Sequence, residues 1–198
     1  KYVALDDGTP VVGFLDRVGL FFAALALGQI SGVVIGNLSQ RRFEKRNLII
    51  AAGGLKVTGI LAFYLFPLDA VWSQTVAQYL VGIGFGMLMV LSFSMFTDIA
   101  EYVDWKSGLQ MTGLVVAASI FAVKTGVALG SAIPGFVFSS TGFVAGETQG
   151  PNAAAGIGFA FALVPVMALL PAMIAMRFYR LDRATVAMLE AELAARRG

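Results

Sequence analysis

Long apolar runs separated by short clusters of charge dominate this chain. Five of them, at about residues 12–38, 47–66, 73–97, 111–140 and 153–176, are long enough to cross about 30 Å of hydrocarbon at 1.5 Å rise per residue. The first carries Asp16 and Arg17 in its opening turns and is then free of charge from Val18 to Leu38. The second is stopped by Pro67, and Trp72, a residue type favoured at membrane interfaces, opens the third. Pro134 interrupts the fourth, and Pro165 and Pro171 lie in the fifth. Proline is tolerated in spanning helices because neighbouring groups satisfy the freed carbonyls, and it often marks a kink. Barrel strands would alternate apolar and polar residues over about ten positions, which these runs do not. The pattern predicts an all-α, polytopic membrane helical bundle forming one membrane domain over residues 1–198, with a tail at 178–198. In that tail, Asp182 to Arg197 reads as a short amphipathic helix. Asp182 is its N-cap, and Val186, Leu189 and Leu193 form one apolar stripe.

Composition turns the pattern into a class. The chain is 58% hydrophobic and 13% charged, with mean hydropathy +0.82, and so has too little polar surface to cover a soluble globule. It reads as an integral membrane protein. The absence of Cys and His excludes thiolate zinc sites, disulfides, haem-binding histidine and histidine triads, and leaves the compartment unread from cysteines. Net charge +2 and a pI near 9.1 do not imply nucleic acid, because the basic residues sit in short loops between apolar runs. No secretory leader pattern opens the chain and residue 1 is Lys rather than Met, which suggests a fragment or a processed chain. Ten of the fourteen Lys and Arg residues fall on one side of the predicted spans: Arg41, Arg42, Lys45, Arg46, Lys106, Arg177, Arg180, Arg183, Arg196 and Arg197. That side is expected to be cytoplasmic. Residues 1–11 then begin outside, and an odd number of crossings leaves the C-terminus inside.

Two lysines remain within spans. Lys124 has uncharged flanks from Ser107 to Val123 and from Thr125 to Gly146, and lies about 20 Å along its helix, near the bilayer midplane. An ammonium there costs roughly 2.5 to 3.5 kcal/mol on insertion scales, so it is expected to face a partner or a wet cavity. On another face of the same span, Ala118, Ala122, Gly126 and Gly130 form a small-residue stripe suited to close helix packing. Lys56, near the middle of the second span, is too deep to snorkel without strain. Between the third and fourth spans, Asp98 to Lys106 has net charge −2 on the otherwise basic side. If the third helix continues through it, Asp98, Glu101 and Asp104 descend one flank, with Asp98, Tyr102 and Trp105 as a neighbouring stripe. Facing the basic loop Arg41 to Arg46, this acid could form an ion-pair network, the alternative being a solvated linker whose surface pairs contribute about 0 to 1 kcal/mol. An intramembrane hydrolase would need a Ser-Lys or Asp-Asp arrangement at depth. Ser119 and Lys124, five positions apart, stand roughly 140° apart around a helix, which argues against an enzyme; no catalytic residue is assigned.

Three segments carry a resemblance: Thr97 to Lys106 followed by Thr112-Gly113; Ser119 to Gly126, with Lys124; and the ending Phe178-Tyr179-Arg180-Leu181 leading into Ala191 to Arg197. In these the chain resembles the glycoside-pentoside-hexuronide:cation symporters, the melibiose-permease-like branch of the major facilitator superfamily. The likeness covers essentially the whole chain and implies five transmembrane helices equivalent to helices 8–12, plus a short cytoplasmic C-terminal helix. It implies the C-terminal part of a cation-coupled symporter for a sugar or glycoside, in the cell membrane of a bacterium (the inner membrane), partnered by the lipid bilayer and an N-terminal transporter half. Lys124 matches the family's intramembrane lysine near the coupling cation and the sugar, and Ser119, Ile120 and Val123 would face the same cavity. Asp98, Glu101 and Asp104 match acidic positions used in cytoplasmic closure opposite loop arginines, here Arg41 and Arg42. The resemblance implies no cofactor and no metal ligand in this chain. The coupling ion, Na+ or H+, is expected to be bound mainly by the N-terminal half. Melibiose-permease-like members have a sugar-lining tryptophan on the tenth helix where this chain has Met89, and Ser119 and Ile120 replace more polar residues. That lining, with Phe93 and Phe121, keeps open a carrier for an amphiphilic or lipid-like substrate, and a non-transporting membrane scaffold is a further alternative.

Overall fold

The computed structural model describes residue 11 and residues 16–67, 70–144 and 150–197; the start of the first expected span, at 12–15, lies outside the described residues. Six helices follow one another and no strand occurs among the described residues: α1 (Arg17–Ser39), α2 (Lys45–Leu65), α3 (Val71–Ser107), α4 (Thr112–Thr141), α5 (Pro151–Phe178) and α6 (Arg183–Arg197). The first five are long and apolar enough to cross a membrane, as the hydropathy pattern predicts, and the chain is an all-α multi-pass bundle.

The ends of the helices follow from local chemistry. Asp16 caps α1, its Oδ1 accepting from the Gly19 amide at 2.6 Å. Asp182 caps α6 in the same way, accepting from the Thr185 amide at 2.8 Å. Hydrogen bonds from Thr185 stabilise the ionised form of Asp182 and hold its carboxyl below the ordinary value. The apolar stripe of α6 is seated on the bundle, with Leu189 and Leu193 buried. In α5, Pro165 has no N–H to give and its ring would press on the preceding turn. The helix answers with a π turn over Phe159–Leu163, where the Val164 amide reaches five residues back to the Phe159 carbonyl.

Helix α3 is the spine. It runs 37 residues, straight through the acidic segment, and ends at Gly108 in the left-handed conformation (φ 70°), so Asp98, Glu101 and Asp104 are helical. On one side α1 lies so close that backbones touch. A Cβ built at Gly28 would strike the Tyr79 carbonyl oxygen, one at Gly32 the Ile83 carbonyl, and one at Gly86 the Gln29 carbonyl. Small residues at this spacing allow dispersion and Cα–H contacts to replace the hydrophobic drive that lipid removes. A single hydroxyl pair, Ser31 with Tyr79 at 2.9 Å, adds a polar tie across this seam. On another side α2 packs through Ala52, Lys56 and Gly59. Leu48, Ile49, Ala52, Met87, Leu91 and Met95 make the core between α2 and α3, covered by Met176 and Tyr179 from the end of α5.

Helix α4 stands apart. None of its residues is buried, and a Cβ at Gly126 or Gly130 would meet nothing within 4 Å. The stripe Ala118, Ala122, Gly126 and Gly130 therefore packs on none of the described residues; the close approach occurs at the α1–α3 glycines instead. Beyond its start, α4 is held at its far end, where Phe138 meets Phe161 at 6.1 Å and Thr141 touches Gly156 of α5.

Candidate functional site

The candidate site residues fall into an open group within the spans and a packed rim at one end. In the open group, Lys124 lies twelve residues past the start of α4, about 18 Å along it, and is exposed. Among the described residues it has no ion pair. Ser119 is half-buried and returns its hydroxyl to the Val115 carbonyl at 2.9 Å. Ile120 and Val123 are exposed on the same helix, and Met89 is exposed on α3. Among the described residues nothing encloses them in a pocket; they line open faces of α3 and α4. The second buried-depth amine, Lys56, places its Nζ 4.9 Å from the centre of the Phe85 ring.

The rim is different. Lys45, opening α2, donates to both oxygens of Asp98 on α3, at 2.7 and 2.6 Å, and the Asp98 side chain is only 7% exposed. The Tyr179 hydroxyl approaches the same carboxylate at 3.5 Å. Burial, then the Asp98 charge and hydrogen bond, push the Tyr179 phenol above its ordinary value, so it stays protonated and able to donate. The start of α2 and the exit of α5 thus converge on one carboxylate of α3. Arg41 and Arg42 stand exposed in the adjacent loop. Glu101 is half-buried and engaged in interactions of its own.

Asp104 has a separate task. It is buried, and its two oxygens accept from the Met111 amide and the Thr112 hydroxyl, each at 2.6 Å. It caps α4 from the preceding helix, across the turn made by Gly108, and fixes where α4 leaves α3. Asp104→Ala is expected to cost about 1 to 2 kcal/mol and to loosen the start of α4. Hydrogen exchange at residues 111–115 checks this, and unchanged protection there would reject it. Next to it the Trp105 indole donates to Glu192 of α6 at 2.6 Å, and Glu44 accepts from the Arg183 amide at 3.2 Å. Lys106 rests over Tyr102 at 5.7 Å.

Lys45 and Tyr179 were not distinguishable by sequence as partners of Asp98, since 53 and 81 residues separate them from it. The only local signal was that Lys45 belongs to the basic loop and Tyr179 follows the last span. Among the described residues no group of three or more His, Cys, Asp or Glu could hold a metal ion.

Residues 8–183 match the family model described as MFS/sugar transport protein. The chain is 29% identical to an isoprimeverose transporter of Lactiplantibacillus pentosus over 173 residues, 85% of this chain and 36% of that protein. It is 29% identical to a glucuronide carrier protein homolog of Escherichia coli (strain K12) over 175 residues, 84% of this chain and 37% of that protein. To an uncharacterized symporter of Bacillus subtilis (strain 168) it is 32% identical over 138 residues, 70% of this chain and 30% of that one. The chain spans about a third of the length of these curated relatives. No solved structure matches it. Helices, family match and relatives agree: the chain belongs to the MFS/sugar transport protein family, whose members here are transporters and not enzymes.

Proposed function

We propose that this chain is the C-terminal part of a cation-coupled symporter that moves a sugar or glycoside by alternating access. The single observation that carries this is the family match over residues 8–183, supported by relatives whose names specify isoprimeverose and glucuronide. The bare faces of α3 and α4 suit the reading, because in such carriers the pathway forms at the interface of repeated halves. Lys124 supplies a fixed positive charge there, balanced by a carboxylate outside this chain and shifted in balance when Na+ or H+ arrives. Met89, Ser119, Ile120 and Val123 line the substrate side. Cation and substrate each stabilise binding of the other, so that loaded and empty carriers reorient while half-loaded ones do so poorly. The Asp98 rim, with Lys45, Glu101, Asp104, Arg41 and Arg42, belongs to cytoplasmic closure. The basic bias of that side supports a cell-membrane protein with its C-terminus in the cytoplasm.

The test is uptake by the intact transporter in proteoliposomes under imposed Na+ or H+ gradients. Lys124→Ala is expected to lower concentrative uptake at least tenfold while thermal unfolding in detergent changes little. Normal concentrative uptake by this variant rejects the role of the amine. A second reading, a carrier for an amphiphilic substrate, draws on the exposure of Met89, Phe93 and Phe121; tighter binding of lysolipids than of glycosides would favour it.

A further inference from the structure

Lys56 is the charged group that the rim and Lys124 leave unexplained. It lies eleven residues past the start of α2, about 16 Å from that end, and a lysine side chain of roughly 6 Å cannot carry its ammonium to either interface from there. Its stem lies on α3 because position 84 has no side chain: a Cβ built at Gly84 would come within 2.7 Å of Lys56 Cβ and 2.9 Å of its backbone nitrogen. That contact sets the ammonium over the face of Phe85, 4.9 Å from the ring centre. The ring attracts the charge but is no substitute for oxygen acceptors for its three N–H groups. Among the described residues no carboxylate pairs with it.

The surroundings specify what would complete it. Gln78, Phe85, Met89 and Ser92 follow one another at intervals of seven, four and three residues, which on a helix draws a single line along α3. Phe85 and Met89 are 43% and 52% exposed, and Gln78 and Ser92 are half-buried with no side-chain hydrogen bond to a described residue. An amide, a ring face, a thioether and a hydroxyl thus share one open line beside a mid-membrane ammonium. Phe85 and Met89, one turn apart beside the ammonium, suit the apolar face of a glycoside's ring, and Gln78 and Ser92, each about 10 Å along the helix from Phe85, offer polar groups on either side. The ammonium calls for an oxyanion.

We propose that Lys56, held over Phe85, is an anion-recognition subsite that takes the carboxylate or sulfonate of a charged glycoside. The proposal rests on the transport reading above and adds the charge of the substrate to it. The oxyanion has two conceivable sources, the substrate or a carboxylate of the transporter outside this chain, and the two behave differently on competition. The probes are phenyl β-D-glucoside and phenyl β-D-glucuronide, which differ at one carbon, CH2OH against carboxylate. Each is assayed for binding to the intact transporter in proteoliposomes at a fixed cation gradient.

The wild type is expected to bind the acid more tightly than the neutral glycoside. Lys56→Met is expected to weaken the acid at least tenfold and change the neutral probe less than twofold, whereas Lys56→Arg keeps most of the preference. The ratio of the two affinities does not depend on how much protein folds, so a poorly expressed Lys56→Met still reports. Equal weakening of both probes would assign the ammonium to a protein carboxylate and overturn the proposal, as would a wild type that binds the neutral probe equally well or better; either result leaves glycoside transport standing. Failure of the wild type to bind either probe would remove the glycoside reading and this subsite together.

Discussion

Gly82→Val is expected to separate α1 from α3 and to destabilise the protein by about 3 kcal/mol, at the upper end of what overpacking a close-fitting interface costs. A Cβ at this position would strike the Leu25 carbonyl oxygen and lie 2.9 Å from the Gly28 Cα and 3.0 Å from the Gln29 nitrogen. These are backbone atoms of a helix, which cannot turn aside as a side chain would. Relief requires α1 to move away along its length, and with it go the neighbouring contacts at Gly32 and Gly86 and the Ser31–Tyr79 hydrogen bond. Gly54, whose Cβ would meet nothing within 4 Å, is the control: Gly54→Ala is expected to be neutral or slightly stabilising, since alanine is the better helix former. Thermal unfolding of the detergent-purified transporter compares the two. Equal melting temperatures for Gly82→Val and Gly54→Ala would show that the α1–α3 seam does not carry the stability assigned to it.

Asp98→Ala is expected to have the second largest effect, about 2 to 3 kcal/mol. Removing one partner of a buried ion pair typically costs about 3 to 5 kcal/mol, because the other charge is left without compensation. The lower figure applies here since Lys45 is 18% exposed and can swing part of the way to water. Tyr179 also loses an acceptor. The double variant Lys45→Met with Asp98→Ala removes both charges and is expected to recover part of the loss. A double-mutant cycle on unfolding free energy should therefore give a coupling above about 1 kcal/mol. Additive single effects would mean that the short distances at this rim contribute no net stability. The same variant in uptake assays tests closure: a leak of substrate down its gradient is the expected phenotype if the rim seals the pathway.

The acidic segment shows where a one-dimensional reading runs out. Its three carboxylates look alike in the sequence, evenly spaced on a helix opposite a basic loop. In the fold Asp98 binds Lys45, Asp104 caps α4, and Glu101 stays half-buried between them. Spacing put them on one flank, but only the arrival of α2 and the turn at Gly108 gave them different partners. The small-residue stripes make the same point. Ala118, Ala122, Gly126 and Gly130 have the spacing of a packing surface, and so do Gly28, Gly32 and Gly36. Among the described residues the second set is packed on and the first is not.

The sequence by itself determined that this chain is a helical membrane protein whose described residues hold five helices long and apolar enough to cross a membrane and a capped amphipathic tail. Hydropathy, proline position and capping residues act over a few turns, and burying apolar length in lipid needs no knowledge of neighbours. The tertiary structure decided which helix backbones touch, which of the basic residues neutralises Asp98, that Asp104 serves α4, and that Lys56 rests over Phe85. Each of these depends on which faces meet across tens of residues of intervening chain, a matter of packing geometry that periodicity alone leaves open.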